Sequence, residues 1–222
     1  MSKKITIILV FFIIYSLENF AQLASDSDPA ARKILENLKK EYDTYKSMEI
    51  NFDLTLNLPD QAPEKQKGLV IQNGEKYKLD LAQQSIYCDG KSVWVHLKDN
   101  NEVQINDVEE TEDDSFLTPQ DMLRIYESED FYYAVTNSYT KGSKKFNSIE
   151  FKPLQENSEY SKLRILVNTT DNRISNMEIF SRDGSKYTLE VHSLNINKDF
   201  PPAIFTFEPS KYPGIHIEDL RF

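Results

Sequence analysis

The feature that most constrains the fold of this sequence is a long series of short segments in which apolar and polar residues alternate. In one of the clearest segments, Ile50, Phe52 and Leu54 are separated by single polar residues. Such alternation places apolar side chains on one face of a β-strand and polar side chains on the other. Turn signals such as Asn73-Gly74 and Asp183-Gly184 separate several segments, and these dipeptides favour tight hairpins. The pattern predicts a mainly β protein with a single antiparallel sheet of about eleven strands.

Three of the predicted strands are used again below. Two of them are Gln84 to Cys88 and Ser92 to Leu97, on either side of the turn signal Asp89-Gly90. Phe205 and Phe207 are predicted to mark a final short strand.

Two segments have the spacing of apolar residues that is typical of helices. Asp28 followed by Pro29 favours a helix start, because an acidic side chain caps the first amides and proline fits the first turn. This helix is predicted to run from Pro29 to Lys46. Thr118 begins a segment that resembles a capping box, and this segment predicts a short second helix from Pro119 to Glu127.

Two helices are too small to cover the apolar face of so large a sheet if the sheet is flat. We therefore expect a strongly curved sheet, with a concave apolar face over which the helices close. The predicted architecture is an incomplete, half-open β-barrel with an N-terminal helix and a short lid helix. An apolar cavity left under the lid would bind apolar ligands, whereas a tightly packed barrel without a cavity would satisfy the same pattern.

The N-terminus has the pattern of a secretory signal peptide. Lys3 and Lys4 precede an apolar run from Ile5 to Leu17, and Ala21 is a small residue suited to cleavage. We predict a cleaved segment over residues 1–21 and a single domain over residues 22–222. A membrane anchor is the alternative interpretation, but the apolar run is short for crossing a bilayer.

Charge and reactive side chains narrow the possible function classes. The formal net charge of −10 argues against nucleic acid and against an anionic membrane surface as partners. His96, His192 and His216 lie in separate segments, without a nucleophile motif or metal-ligand spacing, so we expect no catalytic site, metal or cofactor. The single cysteine, Cys88, cannot form an internal disulfide and is predicted to be a buried, inert thiol. The acidic run from Glu109 to Asp114 is interpreted as a solvated loop, with docking to a basic partner as the alternative.

Three short motifs resemble those of one known family. Asp89 to Trp94 has the sequence Asp-Gly-Lys-Ser-Val-Trp, Gly68 to Ile71 is a glycine-led apolar segment followed by Tyr77, and Phe205 to Pro209 has the form Phe-x-Phe-x-Pro. The order of the signal peptide and the opening helix agrees with these motifs. The chain from about Pro29 to its end is therefore similar to the outer-membrane lipoprotein carrier protein family (LolA).

The resemblance implies a non-enzymatic, monomeric carrier in the periplasm. Such a carrier would take lipoprotein acyl chains from an inner-membrane lipoprotein-releasing transporter and hand them to an outer-membrane acceptor. The family's basic residue after the second strand, often an arginine that bonds to the lid, is missing from the matching turn at Asn73-Gly74-Glu75. The alternatives are a carrier of another lipid or lipid-linked product, a sensor of stray lipoproteins, and an enzyme.

The expected acyl-chain site consists of apolar positions on the inner faces of the predicted strands and on the lid helix. Ordinary core packing would explain each of these positions as well. The residues are Phe52, Leu54, Leu56, Tyr77, Leu79, Trp94, Met122, Leu123, Ile125 and Tyr126.

Overall fold

A computed structural model describes residues 27–108, 127 and 130–221 of the chain. The predicted signal peptide over residues 1–21 lies outside the described residues. The same is true of the acidic run from Glu109 to Asp114 and of the predicted lid helix up to Tyr126, which includes Met122, Leu123 and Ile125. All three segments therefore remain predictions.

One sheet of twelve strands dominates the described structure. The strands, numbered in chain order, are Ser47–Asn57 (β1), Glu64–Asn73 (β2), Lys76–Asp80 (β3), Gln84–Cys88 (β4), Ser92–Leu97 (β5), Glu102–Asp107 (β6), Phe131–Lys141 (β7), Lys144–Pro153 (β8), Tyr160–Asn168 (β9), Arg173–Ser181 (β10), Lys186–Ile196 (β11) and His216–Asp219 (β12).

The sheet is open, because its two end strands, β12 and β7, do not pair with each other. Its spatial order is β12-β6-β5-β4-β3-β2-β1-β11-β10-β9-β8-β7. Neighbouring strands are antiparallel, except that β12 runs parallel to β6. Most neighbours are consecutive hairpin strands, but β1 pairs with the distant β11. The prediction of a mainly antiparallel sheet is confirmed, and the expected count of about eleven strands was one too low.

The C-terminal region differs from the prediction. We expected Phe205 and Phe207 to mark a final short strand, and this was wrong. Pro202–Phe205 forms a 3-10 helix instead, because proline provides no amide hydrogen for pairing in a sheet. The last strand, β12, begins only at His216 and was not predicted.

The single described α-helix, α1, spans Pro29–Tyr42. Its buried residues Ala31, Leu35, Leu38 and Tyr42 form one apolar side. We predicted that it would continue to Lys46, but it ends four residues earlier. The chain leaves the helix there because the backbone amide of Lys46 donates to the Asn197 side chain, 2.8 Å away, at the start of β1.

The sheet has an inner face, against which α1 packs, and an outer face. Ile50, Val70 and Leu79 belong to the same large buried cluster as α1 and so define the inner face. A second, smaller cluster on the outer face contains Tyr87 and Phe207. Strand alternation separates the two clusters, since Ile86 and Cys88, on either side of Tyr87, belong to the first.

The segment that follows β11 covers part of the outer face. Its 3-10 helix, Pro202–Phe205, contacts β3 and β4. Phe207 then packs its ring against those of Tyr87 and His96, with centroid distances of 5.8 and 5.2 Å. Tyr212 stacks on Phe207 with a centroid distance of 5.0 Å. Through these contacts the chain crosses the outer face to the free edge of β6, where β12 pairs with β6.

Candidate functional site

Two rows of apolar side chains cross the inner face of six adjacent strands, β1 and β11 to β7. Each row is a series of directly opposed cross-strand partners, which are the contacts that stabilise one face of a sheet. The first row is Leu56, Tyr187, Ile179, Leu163, Phe151 and Tyr133, and the second is Leu54, Leu189, Met177, Ile165, Ile149 and Val135.

Burial changes along these rows. Leu163, Phe151 and Tyr133 are almost completely buried, on the side of the sheet where α1 packs against β7. At the other end, five residues on β1, β10 and β11 are only half-buried, and we call them the open patch. The open patch consists of Leu54, Leu56, Ile179, Tyr187 and Leu189. It is a continuous apolar surface that could gain further burial from an apolar ligand.

A glycine shapes the inner face beside the open patch. Gly68 on β2 lies directly opposite Phe52 on β1, and the Phe52 ring occupies the space that a side chain at position 68 would need. Phe52 is buried by this arrangement. The glycine of the Gly68–Ile71 motif thus has a packing role, since it lets an aromatic ring lie flat on the neighbouring backbone.

Most of the described residues that were predicted to line the site lie on the inner face. Phe52 and Leu79 are buried there, whereas Leu54, Leu56 and Tyr77 are half-buried. Phe52, Leu54, Tyr77 and Leu79 belong to the main cluster or pack against it. Whether any of them contacts a ligand stays a prediction.

Trp94 does not join this group. On β5, Val93 and Val95 belong to the inner cluster, so the intervening Trp94 faces outward and packs with the outer cluster. It lies opposite Tyr87 on the neighbouring strand and helps to form the surface that Phe207 covers. Sequence reasoning placed Trp94, the only tryptophan in the chain, among the residues that line the site. The alternation of β5 already indicated that it lies on the opposite face from Val93 and Val95.

The same motif has a clear local role in the turn before β5. The Asp89 side chain accepts hydrogen bonds from the backbone amides of Lys91 and Ser92, each at 2.9 Å. Gly90 adopts a φ of 89°, which glycine tolerates best. The Asp-Gly pair therefore sets the register of the β4–β5 hairpin.

Sequence reasoning missed three residues of the open patch, namely Ile179, Tyr187 and Leu189. A signal for two of them was present, since Tyr187, Leu189 and Val191 alternate with polar residues along β11. The sequence could not reveal that β11 lies beside β1. That pairing places Leu189 opposite Leu54 and Tyr187 opposite Leu56.

Charged side chains on these strands gather on the outer face. Asp53 binds Lys65 at 2.8 Å and His192 at 2.9 Å, and the bond from Lys65 is the main reason that the pKa of Asp53 is lowered. Farther along, Arg164 bridges Glu150 and Glu178, at 2.9 Å from each carboxylate. The alternation of strand residues thus keeps these charges away from the open patch.

Several potentially reactive side chains in the described ranges are buried or are engaged in other contacts. Within residues 27–108, 127 and 130–221, no three His, Cys, Asp or Glu side chains are placed to hold a metal. Ser85 lies opposite His96, but its hydroxyl donates to Asp80 at 2.6 Å, while His96 packs against the Tyr212 ring, 4.5 Å away. Cys88 is buried, as predicted, and burial raises the pKa of its thiol.

The described helix is also unsuited to spanning a membrane. No helix within the described ranges is long and apolar enough to cross a bilayer.

The family model of the outer membrane lipoprotein carrier protein LolA matches residues 43–208, from just after α1 to the residue that follows Phe207. This chain belongs to the LolA family. The LolA family is one of periplasmic carriers rather than enzymes. The match also includes every residue of the open patch. No curated protein sequence matches this chain.

Solved structures include one with a similar fold and others that are similar to a lesser degree. An uncharacterized conserved protein from Thermus thermophilus is 10% identical, with a TM-score of 0.56 over 86% of this chain and 99% of the other. A LolA superfamily protein from Nitrosomonas europaea is 16% identical, with a TM-score of 0.41 over 80% and 97% of the two chains. LprF from Mycobacterium bovis is 10% identical, with a TM-score of 0.48 over 79% and 97%.

Proposed function

We propose that this protein is a periplasmic carrier that shields the acyl chains of lipoproteins and transfers them from the inner to the outer membrane. The observation that carries the proposal is the open patch on the inner face of an open sheet. In a LolA-family chain, a half-buried apolar surface of this kind is suited to acyl chains, because it is continuous over three adjacent strands.

The energetics of lipid transfer explain why such a surface would be needed. Each CH₂ group removed from a membrane costs about 0.8 kcal/mol, so several long acyl chains do not leave a bilayer unaided. A carrier must provide apolar surface of nearly equal quality. It must also release its cargo, and a patch that is half-buried before binding would gain only part of its burial from the ligand.

The geometry of the patch supports binding of chains rather than of a compact ligand. Its members form two parallel rows, Leu54–Leu189 and Leu56–Tyr187–Ile179. Both rows continue into fully buried residues such as Leu163. An extended chain that lies along them would pass from the half-buried end of the inner face toward α1.

Native mass spectrometry of the purified protein with a triacylated lipopeptide and, separately, with a diacyl phospholipid tests this proposal. We expect a one-to-one complex with the lipopeptide. Leu54→Glu should weaken it by about tenfold or more, because it would bury a charge against the acyl chains. Leu54 lies opposite Gln66 and Leu189, so the new carboxylate would have no cationic partner in these two strand pairs.

Thr55→Glu is the matched control. It adds the same charge one residue away, on the outer face and opposite Lys65, and should leave lipopeptide binding unchanged. Tighter binding of the phospholipid than of the lipopeptide would favour a carrier of another lipid. If the folded wild-type protein binds neither ligand, or if both variants weaken binding equally, the proposal is wrong.

A further inference from the structure

The tip of the β7–β8 hairpin concentrates positive charge in a chain whose net charge is −10. Lys141 and Lys144 lie directly opposite each other, and Lys145 follows; all three are exposed. Lys144 has an acidic neighbour, with its Nζ 3.3 Å from Asp171. Lys141 and Lys145 form no ion pair with any residue in the described ranges. The tip therefore presents lysine charge that this part of the fold does not neutralise.

An aromatic pair with one exposed member lies beside these lysines. Tyr139 and Phe146 are cross-strand partners, with stacked rings whose centroids are 5.2 Å apart. Tyr139 is 42% exposed, which makes it one of the most exposed large apolar residues among those described. Because alternate residues of a strand share a face, Tyr139 and Lys141 lie on the same face as Lys144 and Phe146. We call these four residues together with Lys145 the basic hairpin tip.

The combination of residues indicates the chemistry of the partner. A tyrosine with an apolar ring and a polar hydroxyl suits the interfacial layer of a bilayer, where aromatic residues are enriched. Lysines next to it would contact phosphate groups, and each basic residue near an anionic membrane adds about fivefold to the partition coefficient. At physiological ionic strength, charges separated by more than about 8 Å are largely screened. Distant acidic residues would therefore not cancel the attraction at the tip.

The position of the tip leaves the inner face accessible. The backbone amide of Lys145 donates to the Thr170 hydroxyl in the β9–β10 turn, at 2.9 Å. Ile179 and Tyr187 of the open patch lie at the other ends of their strands, next to the β10–β11 turn. A surface that contacts the basic hairpin tip thus lies at the opposite end of the sheet from the open patch.

We propose that the basic hairpin tip is a weak, reversible docking site for the anionic headgroups of a lipid bilayer. This inference goes beyond the proposed function and does not depend on the cargo. It gives the chain a means of residing briefly at a membrane surface. An acidic protein surface could contact the same lysines, but it would not require the exposed Tyr139 ring beside them.

The test is co-sedimentation of the cargo-free protein with vesicles made of equal parts phosphatidylcholine and phosphatidylglycerol, compared with vesicles of pure phosphatidylcholine. We expect binding only to the anionic vesicles, with affinity falling as salt is raised. The triple variant Lys141→Gln, Lys144→Gln, Lys145→Gln should lower the partition coefficient on the order of a hundredfold. Tyr139→Ser should lower it severalfold without any change of charge.

A matched control removes the same charge elsewhere. The triple variant Lys33→Gln, Lys76→Gln, Lys91→Gln replaces three other exposed lysines and should reduce binding much less. Leu54→Glu should lose lipopeptide binding but retain vesicle binding, which separates failure of this proposal from failure of the carrier proposal. Equal losses in the two triple variants would overturn the docking site. The same conclusion would follow if the wild-type protein did not bind anionic vesicles. An acidic protein surface would then be the remaining candidate partner of the basic hairpin tip.

Discussion

The backbone amide of Val135 on β7 donates a hydrogen bond to one carboxylate oxygen of Asp28, 3.1 Å away. The other oxygen of the same carboxylate accepts from the amide of Ala30, at 2.8 Å, and caps helix α1. The backbone amide of Asp28 also donates to the carbonyl of Tyr133, at 3.0 Å. A single acidic residue thus fixes the start of the helix to the end strand of the sheet.

Replacement of Asp28 should separate these two roles. Asp28→Asn keeps an oxygen that can cap α1 but loses the second acceptor, and should destabilise the protein by about 1 kcal/mol. Asp28→Ala loses both and should cost about 1–3 kcal/mol. Urea denaturation followed by circular dichroism measures both values. Equal costs for the two variants would contradict the assignment of separate roles to the two oxygens.

The same carboxylate predicts a dependence of stability on pH. The hydrogen bond from Val135 is the main reason that the pKa of Asp28 is lowered from its ordinary value of 3.8. The contribution of the ionised Asp28 carboxylate to the free energy of unfolding is therefore complete above pH 3.8. It is lost as the pH falls through the lowered pKa of the folded state. The stability difference between the wild type and Asp28→Asn should shrink over this acidic range, as measured by urea denaturation at a series of pH values.

The contact between Phe52 and Gly68 predicts a pair of compensating substitutions. Gly68→Ala would place a methyl group within the Phe52 ring and should destabilise the protein by about 1–3 kcal/mol through overpacking. Phe52→Leu would open space, so the double variant should be more stable than the sum of the single effects predicts. Denaturation of all four proteins measures the coupling. Strictly additive effects would show that the cost of Gly68→Ala does not come from contact with the Phe52 ring.

His96 predicts a second dependence of stability on pH, which arises from burial rather than from a hydrogen bond. This residue packs against the C-terminal segment. Its side chain is 3% exposed, and burial lowers its pKa from the ordinary value of 6.5. Lys98 lowers the pKa further, while Asp80 opposes the shift. Below pH 6.5 the unfolded chain takes up a proton that the folded chain resists, so stability should fall as the pH drops.

His96→Phe should abolish this part of the pH dependence, because phenylalanine cannot take up a proton and can pack against Phe207 and Tyr212. The measurement is the midpoint of urea denaturation at a series of pH values between about 7.5 and about 5.5. His216→Gln, at an exposed histidine on β12, is the control and should behave like the wild type. A wild-type slope in His96→Phe would show that another group is responsible.

Charge illustrates the difference between a whole-chain property and a local one. The net charge of −10 argued against an anionic membrane surface, and that argument treats the charge as evenly spread. The hairpin connection between β7 and β8 instead brings Lys141 opposite Lys144. Since screening limits each charge to its surroundings, a basic tip and an acidic chain are compatible.

The sequence alone determined the strands and the faces of most of them, because alternation is a local property. The segments Gln84–Cys88 and Ser92–Leu97 were predicted with the bounds that the structure has. Asp28-Pro29 likewise located the start of α1, since capping involves only neighbouring residues. The family resemblance, now confirmed, depended on short motifs whose roles are also local, in the Asp89–Ser92 turn and at Gly68.

Only the tertiary structure decided which strands meet and what covers each face. The pairing of β1 with β11 assembles the open patch from residues more than a hundred positions apart in the chain, such as Leu54 and Leu189. The path of the C-terminal segment buries Phe207 on the outer face and so gives Trp94 a partner there. Such contacts arise from burial between distant elements, and no periodicity within a single segment records them. For this reason the strands of this protein were predictable, whereas its open patch and its last strand were not.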